Sequence, residues 1–343
     1  MNRRNADRMT LAVLLAVMLL TTVGSIRFGA IDFSARDMVA AVSHTLSGAG
    51  DLTLNQRIFM QLRVPRVILC LLVGACLGIA GTLMQALFRN PIVEPGLVGT
   101  SSGAAFGAAM FYVFGALLKM SPSAWTLPVA ACAGGVLSTY LVFALAQTRN
   151  EGRSSMMLLL LTGLAINALF MSGIGFLSYV ARDPQARSII YWNLGTMSGA
   201  SWNSVVVLGL VTAIGTAAAL SFAKPLNALM IGEQEALALG VNVGRLKWVV
   251  LSINVLMVAV ATAFTGIISF VGLIVPHILR IIRGLDNRFL ITGSALLGGT
   301  LLSLADLIAR MCVRPAELPI GIVTSVVGVP VFLSLLRRRQ YLF

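Results

Sequence analysis

Residues 62–88 decide the fold class, and they read LRVPRVILCLLVGACLGIAGTLMQALF. Between Arg66 and Arg89 this stretch carries no charge, which is long enough for a helix to cross the hydrocarbon core of a membrane. Similar apolar runs recur along all 343 residues, and the mean hydropathy of +0.92 with only 11% charged residues exceeds what a soluble core needs. The sequence therefore predicts an all-α polytopic membrane protein.

The apolar runs are separated by polar or turn-forming residues, and we predict ten transmembrane helices. The predicted spans are 9–26, 62–88, 96–118, 125–146, 156–180, 203–222, 248–266, 267–283, 290–311 and 318–336. No charge separates the seventh span from the eighth, and the turn between them is placed at Phe264-Thr265-Gly266. Without that turn one over-long helix would remain, and the C-terminus would lie on the opposite side.

Basic residues set the orientation. With ten spans both termini share one side, which carries most of the 25 Lys and Arg residues and is cytoplasmic by the positive-inside rule. The first apolar run follows Arg3, Arg4 and Arg8, and we interpret it as a retained helix rather than a cleaved signal peptide. The net charge of +13 then reflects topology, so we expect no nucleic-acid partner.

Polar residues of the kind that build catalytic or metal sites are scarce. The chain has two histidines, His44 and His277, and lacks a Gly-Lys dipeptide that could begin a phosphate-binding loop. The cysteines lie in apolar stretches without metal-ligand spacing and are predicted to be small core residues: Cys70, Cys76, Cys132 and Cys312. We expect no enzymatic activity, no cofactor and no metal. Asp306 precedes Arg310 by four residues, and we interpret this pair as structural or as part of a docking element rather than a proton path.

The segment 225–247 lies between two spans on the predicted cytoplasmic side. Gly232 is predicted to break one short helix, Glu233 suits the positive N-terminus of a second, and Gly240 suits its left-handed C-terminal cap. The second helix would place Ala236 and Leu239 on a common face. From helical physics alone, an amphipathic helix on the membrane surface is an equal alternative.

Four ordered stretches of the chain resemble one known family. They are 63–66 (RVPR), 81–96 (GTLMQALFRNPIVEPG), 270–280 (FVGLIVPHILR) and 317–324 (ELPIGIVT), to which the cytoplasmic pattern Gly232-Glu233-x-x-Ala236-x-x-Leu239-Gly240-Val241 adds a fifth. Together they resemble the FecCD-type permeases of ABC importers, which include cobalamin, ferric-siderophore and haem permeases.

The resemblance implies a fold of the type II ABC importer permease class, with residues 1–343 forming one permease domain and 225–247 forming the cytoplasmic coupling helices. It implies four kinds of partner: two separate ATP-binding cassette subunits, a substrate-binding protein, a second permease copy (the same chain or a sister permease), and membrane lipid. The coupling positions that it implies are Gly232, Glu233, Ala236, Leu239 and Gly240.

By similarity to the family, Arg63, Arg66 and Arg310 receive acidic residues of the binding protein, a role that suits bidentate guanidinium groups. The alternative is that these arginines contact lipid headgroups. Arg314 and Glu317 are looser docking candidates, and Glu317 could instead cap the last span.

The family also implies a cytoplasmic constriction around a two-fold axis, which places the gate at Asn90, Ile92, Ser155 and Met156. A purely structural turn at Asn90-Pro91 is an equal alternative. Small residues of spans five and ten are predicted to line the pathway: Gly163, Asn167, Gly173, Thr324, Ser325 and Gly328. His277 is predicted to be structural, and Tyr191 with Trp192 to form an interfacial anchor.

These patterns favour a permease that imports an iron chelate, either a siderophore or haem, across the bacterial inner membrane. Cobalamin is the alternative cargo within the family. An ion-coupled secondary transporter is the alternative from another class, and an adjacent ATPase gene would argue against it.

Overall fold

The computed structural model describes residues 3–29, 33–47, 53–117, 120, 123–146, 156–313 and 315–337, and within them the chain is helical with no β-strand. The helices are α1 (Arg3–Arg27), α2 (Ala35–Ser47), α3 (Leu54–Ile58), α4 (Val64–Leu87), α5 (Thr100–Leu117), α6 (Thr126–Leu145), α7 (Met156–Val180), α8 (Asp183–Asn193), α9 (Trp202–Ser221), α10 (Ala223–Ile231), α11 (Glu233–Ala238), α12 (Val243–Thr265), α13 (Val271–Arg283), α14 (Asn287–Met311) and α15 (Ile320–Arg337). A π-helical turn, Phe59–Arg63, joins α3 to α4, and a 3₁₀ turn, Pro95–Val98, precedes α5.

Each of the ten predicted spans coincides with a helix, but the count of ten crossings is not confirmed. Seven helices of the described ranges are long and apolar enough to cross a membrane. The remaining three predicted spans correspond to α5, α13 and α15. The 13 residues of α13 cover about 20 Å, which is shorter than the hydrocarbon core of a bilayer.

The predicted turn between the seventh and eighth spans is confirmed. Helix α12 ends at Thr265, and Gly266 adopts a left-handed φ of 71° that a residue with a side chain rarely adopts. The eighth helix begins at Val271 rather than at 267, because residues 266–270 are not helical. Other parts of the chain supply hydrogen-bond partners to this region: Thr196 N donates to Thr265 O, and Phe270 N donates to Glu94 Oε1 at 3.0 Å.

Helix α4 lies at the centre of the bundle and packs most extensively against α14. A stripe of small residues brings the two backbones together: a side chain at Gly74 would meet the carbonyl of Gly298, and one at Gly78 would meet that of Ser294. Thr82 and Ser294 share a buried hydrogen bond of 2.8 Å beside this stripe. Close backbone approach through small residues is the usual way in which helices associate in membranes, so α4 and α14 form a tight pair.

Helix α1 packs on the outside of this pair and leaves most of its apolar side chains exposed. Its side chains make polar contacts with α13 and α14: Ser25 Oγ lies 3.0 Å from Ser303 Oγ, and Arg283 Nε donates to Thr10 Oγ1 at 2.6 Å. These bonds fix α1 at both ends against an otherwise apolar contact.

Candidate functional site

The three arginines that the sequence singled out lie together at the predicted outer end of the α4–α14 pair. Arg63 ends the π-helical turn, Arg66 lies in the first turn of α4 and Arg310 lies in the last turn of α14. π-Helical turns are frequent at functional sites, and this one sets the direction in which Arg63 leaves the backbone. The residues form one side-chain group, which we call the outer arginine cluster.

Two carboxylates of the same chain pair with the outer arginine cluster. Arg66 donates to Asp306 Oδ1 through Nε and Nη2, at 3.0 and 2.8 Å, and to Glu317 through Nη1 at 2.8 Å. Arg310 Nε lies 2.9 Å from Asp306 Oδ2, so the predicted Asp306–Arg310 contact is observed. The side chain of Asp306 is only 1% exposed, whereas that of Glu317 is 38% exposed. Glu317 is therefore the carboxylate that an external partner can reach.

The other two arginines also hold the end of α1. Arg63 Nη1 donates to Ile26 O at 3.2 Å, and Arg310 donates to Ser25 O at 3.1 Å and to Phe28 O at 3.3 Å. The last carbonyls of a helix have no partner within the helix and carry partial negative charge, which guanidinium groups compensate. Both arginines are buried, so part of their role is internal.

An open cavity of about 410 Å³ adjoins the cluster. It is lined by Ile58, Leu62, Arg63, Arg66, Met197, Ser198, Ala200, Arg310 and Glu317. Docking of a binding protein to these arginines stays a prediction, as does the headgroup alternative. Arg314, the looser candidate, lies outside the described residues.

On the predicted cytoplasmic side, the two short helices of 225–247 form as expected. Helix α10 ends at Ile231, Gly232 is extended, and α11 begins at Glu233. Gly240 has the left-handed φ of 81° that was predicted for a C-terminal cap. Glu233 forms a 3.0 Å ion pair with Lys247 of α12, which holds the N-terminus of α11.

The predicted common face of Ala236 and Leu239 is wrong. Ala236 is fully buried, whereas Leu239, the C-cap residue of α11, is 67% exposed. The exposed apolar residues here are Ile231, Leu237 and Leu239. We call these three the cytoplasmic apolar tip.

A polar contact between α10 and α14 was missed by the sequence analysis. Asn227 Nδ2 donates to Asp286 Oδ1 at 2.9 Å, and Asn227 Oδ1 accepts from both the backbone N and Nδ2 of Asn287 at 2.8 Å. Asp286 caps α14 by accepting from Arg288 N. An Asp-Asn pair before an apolar run is a recognisable cap signal, but nothing in the sequence indicates that Asn227 meets it.

The structure describes only part of the predicted gate. Asn90 Oδ1 accepts from Ile92 N at 3.0 Å, which is the local turn that a structural role requires, and Ile92 is exposed beside it. Ser155 lies outside the described residues. Met156 begins α7, but its side chain is not described. The gate assignment therefore stays a prediction.

Several residues that were predicted to line the pathway pack closely against other parts of the subunit, and their place on a pathway stays a prediction. A side chain at Gly163 would meet the carbonyl of Leu97, one at Gly173 would meet the ring of Phe106, and one at Gly328 would meet Phe270. Asn167 Nδ2 donates to Leu97 O, and Thr324 is buried as well. These small residues allow close packing, a role that their size suits equally well.

Two further expectations need correction. Trp192 is buried in a core cluster while Tyr191 is exposed, so the two do not form a shared interfacial anchor. Cys312 is exposed at the end of α14, unlike the buried Cys70 and Cys76. Within the described part of the chain, no group of three or more potential metal ligands occurs.

Comparison with known proteins identifies the class to which this fold belongs. The model of the FecCD transport family matches residues 14–338. The chain is 36% identical over 340 residues to the hemin transport system permease protein HmuU of Yersinia pestis, with 99% of this chain and 98% of that protein covered. It is 39% identical over 285 residues to the cobalamin import system permease protein BtuC of Halobacterium salinarum, with 83% and 74% covered.

A solved structure described as an inward-facing metal-chelate type ABC transporter matches the model with a TM-score of 0.82 at 29% identity, covering 96% of this chain and 98% of that chain. The helical bundle is thus that of an ABC importer permease, a multi-pass membrane protein that works as the transport subunit beside partner subunits. The chain belongs to the FecCD transport family.

Proposed function

We propose that this permease imports an iron chelate, either haem or a ferric siderophore, across the inner membrane of a bacterium. The observation that carries the proposal is the likeness to the hemin permease over essentially the whole length of both chains. The likeness to a cobalamin permease has higher identity over a shorter stretch, which keeps cobalamin as the second candidate cargo.

The outer arginine cluster is the proposed docking site for a substrate-binding protein. Arg66 already binds two carboxylates, and the bond to Glu317 is the one at the surface. An acidic residue of the binding protein would displace Glu317 from Arg66, while Asp306 stays buried between Arg66 and Arg310. Docking is then an exchange of carboxylates, which favours specificity and orientation more than raw affinity.

The cytoplasmic apolar tip is the proposed contact with the ATPase pair. Ile231, Leu237 and Leu239 are exposed on two short helices whose other sides are buried, a form that suits insertion into an apolar groove. Gly232 and Gly240 set the ends of α11, Ala236 anchors it to the permease, and Glu233 orients it through Lys247. ATP hydrolysis is assigned to the separate subunits.

A second permease copy is proposed to complete the pathway. The long helices α7 and α15 expose many apolar side chains, among them Leu164, Phe176 and Val326, which a second copy or lipid would cover. The gate of Asn90, Ile92, Ser155 and Met156 would lie where the two copies meet. The partner is either the same chain or a sister permease.

Uptake by proteoliposomes tests the function. Vesicles that contain the permease with its ATPase and binding protein are supplied in parallel with haem, a ferric siderophore and cobalamin. The proposal expects ATP-dependent accumulation of an iron chelate. Accumulation of cobalamin alone would move the assignment to the second candidate. Uptake that follows a proton gradient without ATP and is lost in Asp306→Asn would indicate a secondary transporter.

A further inference from the structure

The contact between α10 and α14 is a set of hydrogen bonds between the bundle core and an open cavity of about 780 Å³, which Asn227 and Asp286 line together with Arg4 and Asp7. Leu226 and Leu229, on either side of Asn227, are buried in the core of the bundle. The side-chain amide of Asn227 uses both of its ends: Nδ2 donates to Asp286, and Oδ1 accepts twice from Asn287. Asn287 is completely buried. Asn227 and Asp286 are half-buried. The contact favours one arrangement of the two helices, because displacing α10 from α14 would remove the Asn227 acceptor from the buried amide of Asn287.

Asp286 and Asn287 are also where α14 begins. The helix continues for 25 residues, about 37 Å, to the outer arginine cluster, where it supplies Asp306 and Arg310. Along that length it packs on α4 through the stripe of Gly74, Gly78, Ser294 and Gly298, which brings backbone against backbone. Because such a contact contains few flexible side chains, the two helices move as one body.

The same body therefore carries the outer arginine cluster at one end and α10 at the other. Helix α10 leads through Gly232 directly to α11 and to the cytoplasmic apolar tip. The hydrogen bonds of Asn227 with Asp286 and Asn287 join α10 and α11 to the α4–α14 pair. Hydrogen bonds have a fixed direction, whereas the apolar contacts of the neighbouring leucines do not.

We infer that Asn227, Asp286 and Asn287 form a joint that transmits the state of the outer arginine cluster, through the α4–α14 pair, to the helices that contact the ATPase. The inference rests on the proposed function. The three are positioning residues: they touch neither cargo nor nucleotide, and they set where the apolar tip stands when the binding protein docks.

An exchange of the two side chains tests the joint. In Asn227→Asp, a carboxylate faces Asp286 at a hydrogen-bond distance with no donor between them, so the joint opens. In the double variant Asn227→Asp with Asp286→Asn, the new amide donates to the new carboxylate, which still accepts twice from Asn287. Asp286 Oδ1 accepts from both Asn227 Nδ2 and Arg288 N, so an asparagine whose amide donates to the new carboxylate gives up the cap bond to α14. Asp286→Asn alone is therefore measured beside the double variant, to separate loss of the cap from repair of the joint.

The readout is ATP hydrolysis by the full complex in proteoliposomes, with and without binding protein, using hemin as the probe cargo. Asn227→Asp is expected to lower the ratio of stimulated to basal hydrolysis by about fivefold or more, the lower end of ordinary coupling between sites. The double variant is expected to return this ratio to within about twofold of the wild type. Binding-protein affinity should stay unchanged throughout.

Asn203→Asp is the matched control, because it makes the same chemical change at an exposed residue in the first turn of α9, outside the cavity that Asn227 and Asp286 line. Asn227→Ala, which removes the bonds without adding charge, is read beside Asn227→Asp in case the latter does not fold. A ratio that is unchanged in Asn227→Ala overturns the inference. It is also overturned if the exchange restores the melting temperature but not the ratio, since the contact would then only stabilise the fold. A wild-type complex that binds its partners but shows no stimulation with hemin or with a ferric siderophore overturns the proposed function and this inference with it.

Discussion

The two ends of the α4–α14 pair meet their surroundings in opposite ways. At the outer end, the arginines are buried or half-buried and already bound to Asp306, Glu317 and the last carbonyls of α1. At the cytoplasmic end, Ile231, Leu237 and Leu239 are exposed. The helix α11 beside them is fixed to the rest of the permease by the buried Ala236 and by the Glu233–Lys247 ion pair. The outer site must exchange partners to bind, whereas the cytoplasmic site needs only to be covered.

This difference predicts which end of the α4–α14 pair gives specificity in binding a partner and which end gives affinity. Arg66 already pairs with Glu317, so exchanging that carboxylate for one of a partner protein gives little net affinity. The exchange still gives specificity, because a partner without a carboxylate in the right place cannot replace Glu317. Exposed apolar residues on a fixed support gain from burial alone and lose no internal bond. A transient contact outside and a lasting contact inside would suit the partners proposed above, a binding protein at the outer end and ATPase subunits at the cytoplasmic end.

The largest effect is expected where docking and stability share a residue. Arg310→Ala removes one partner of the buried Asp306 and two donors to the end of α1, and breaking such a buried pair costs about 3–5 kcal/mol. The melting temperature of the purified permease should therefore fall markedly. Arg288→Ala, an exposed arginine in the first turn of α14, is the control and should change little. Equal melting of the two variants would show that the cluster has no internal role.

The apolar tip is expected to show the reverse pattern. Leu239→Asp places a charge at an exposed position, so the fold should tolerate it, while burial against the ATPase should not. The ratio of stimulated to basal ATP hydrolysis should fall by about tenfold, within the usual range of coupling between sites. Ala236→Asp is the contrasting variant: it buries a charge, and the permease should lose stability instead. If Leu239→Asp melted early and Ala236→Asp did not, the assignment of the two faces would be reversed.

These contrasts also show what the sequence could and could not predict. Apolar length placed all ten helices, and glycine at 232, 240 and 266 predicted the breaks that the structure contains. Each of these signals is local, since a run of apolar residues or a residue without a side chain acts on its own stretch of backbone. The count of ten crossings is not confirmed, and α13 is one of the helices that leave it open: its 13 residues follow a non-helical segment whose hydrogen-bond partners lie elsewhere in the chain.

Contacts between distant parts of the chain were the harder problem. Family resemblance brought Arg63, Arg66 and Arg310 together, but the bond of Arg66 to Glu317 joins residues 251 apart, and no periodicity reports such a pair. The same limit explains the small residues of α7. A glycine at 163 fits a pathway wall and a tight helix contact equally well, and only the position of Leu97 shows that the contact is made.

A smaller effect, on affinity for the binding protein, should follow from removing the charge of Glu317, which competes for Arg66. Glu317→Gln weakens the accessible half of the Arg66 network while the buried Asp306 pair remains. A partly exposed ion pair contributes about 0.2–1 kcal/mol, so affinity for the binding protein should rise by up to about fivefold. The measurement is binding-protein dissociation from nanodisc-embedded permease. Added salt should weaken wild-type docking, because the contact is ionic and partly exposed. Reduced affinity in Glu317→Gln would mean that Glu317 itself contacts the partner.

The smallest effect is expected at the ion pair that orients α11. Glu233 and Lys247 are both partly exposed, and such a pair contributes about 0–1 kcal/mol, so neither Glu233→Gln nor Lys247→Gln should change the stimulated ATPase ratio by more than about twofold. If the carboxylate acts only through Lys247, the double variant should match either single variant, because the second substitution has no bond left to break. A Glu233→Gln loss as large as that of Leu239→Asp, with Lys247→Gln near wild type, would instead show that the Glu233 carboxylate binds the ATPase directly. The cytoplasmic end would then depend on charge as the outer end does, and the contrast between exchange outside and simple burial inside would fail.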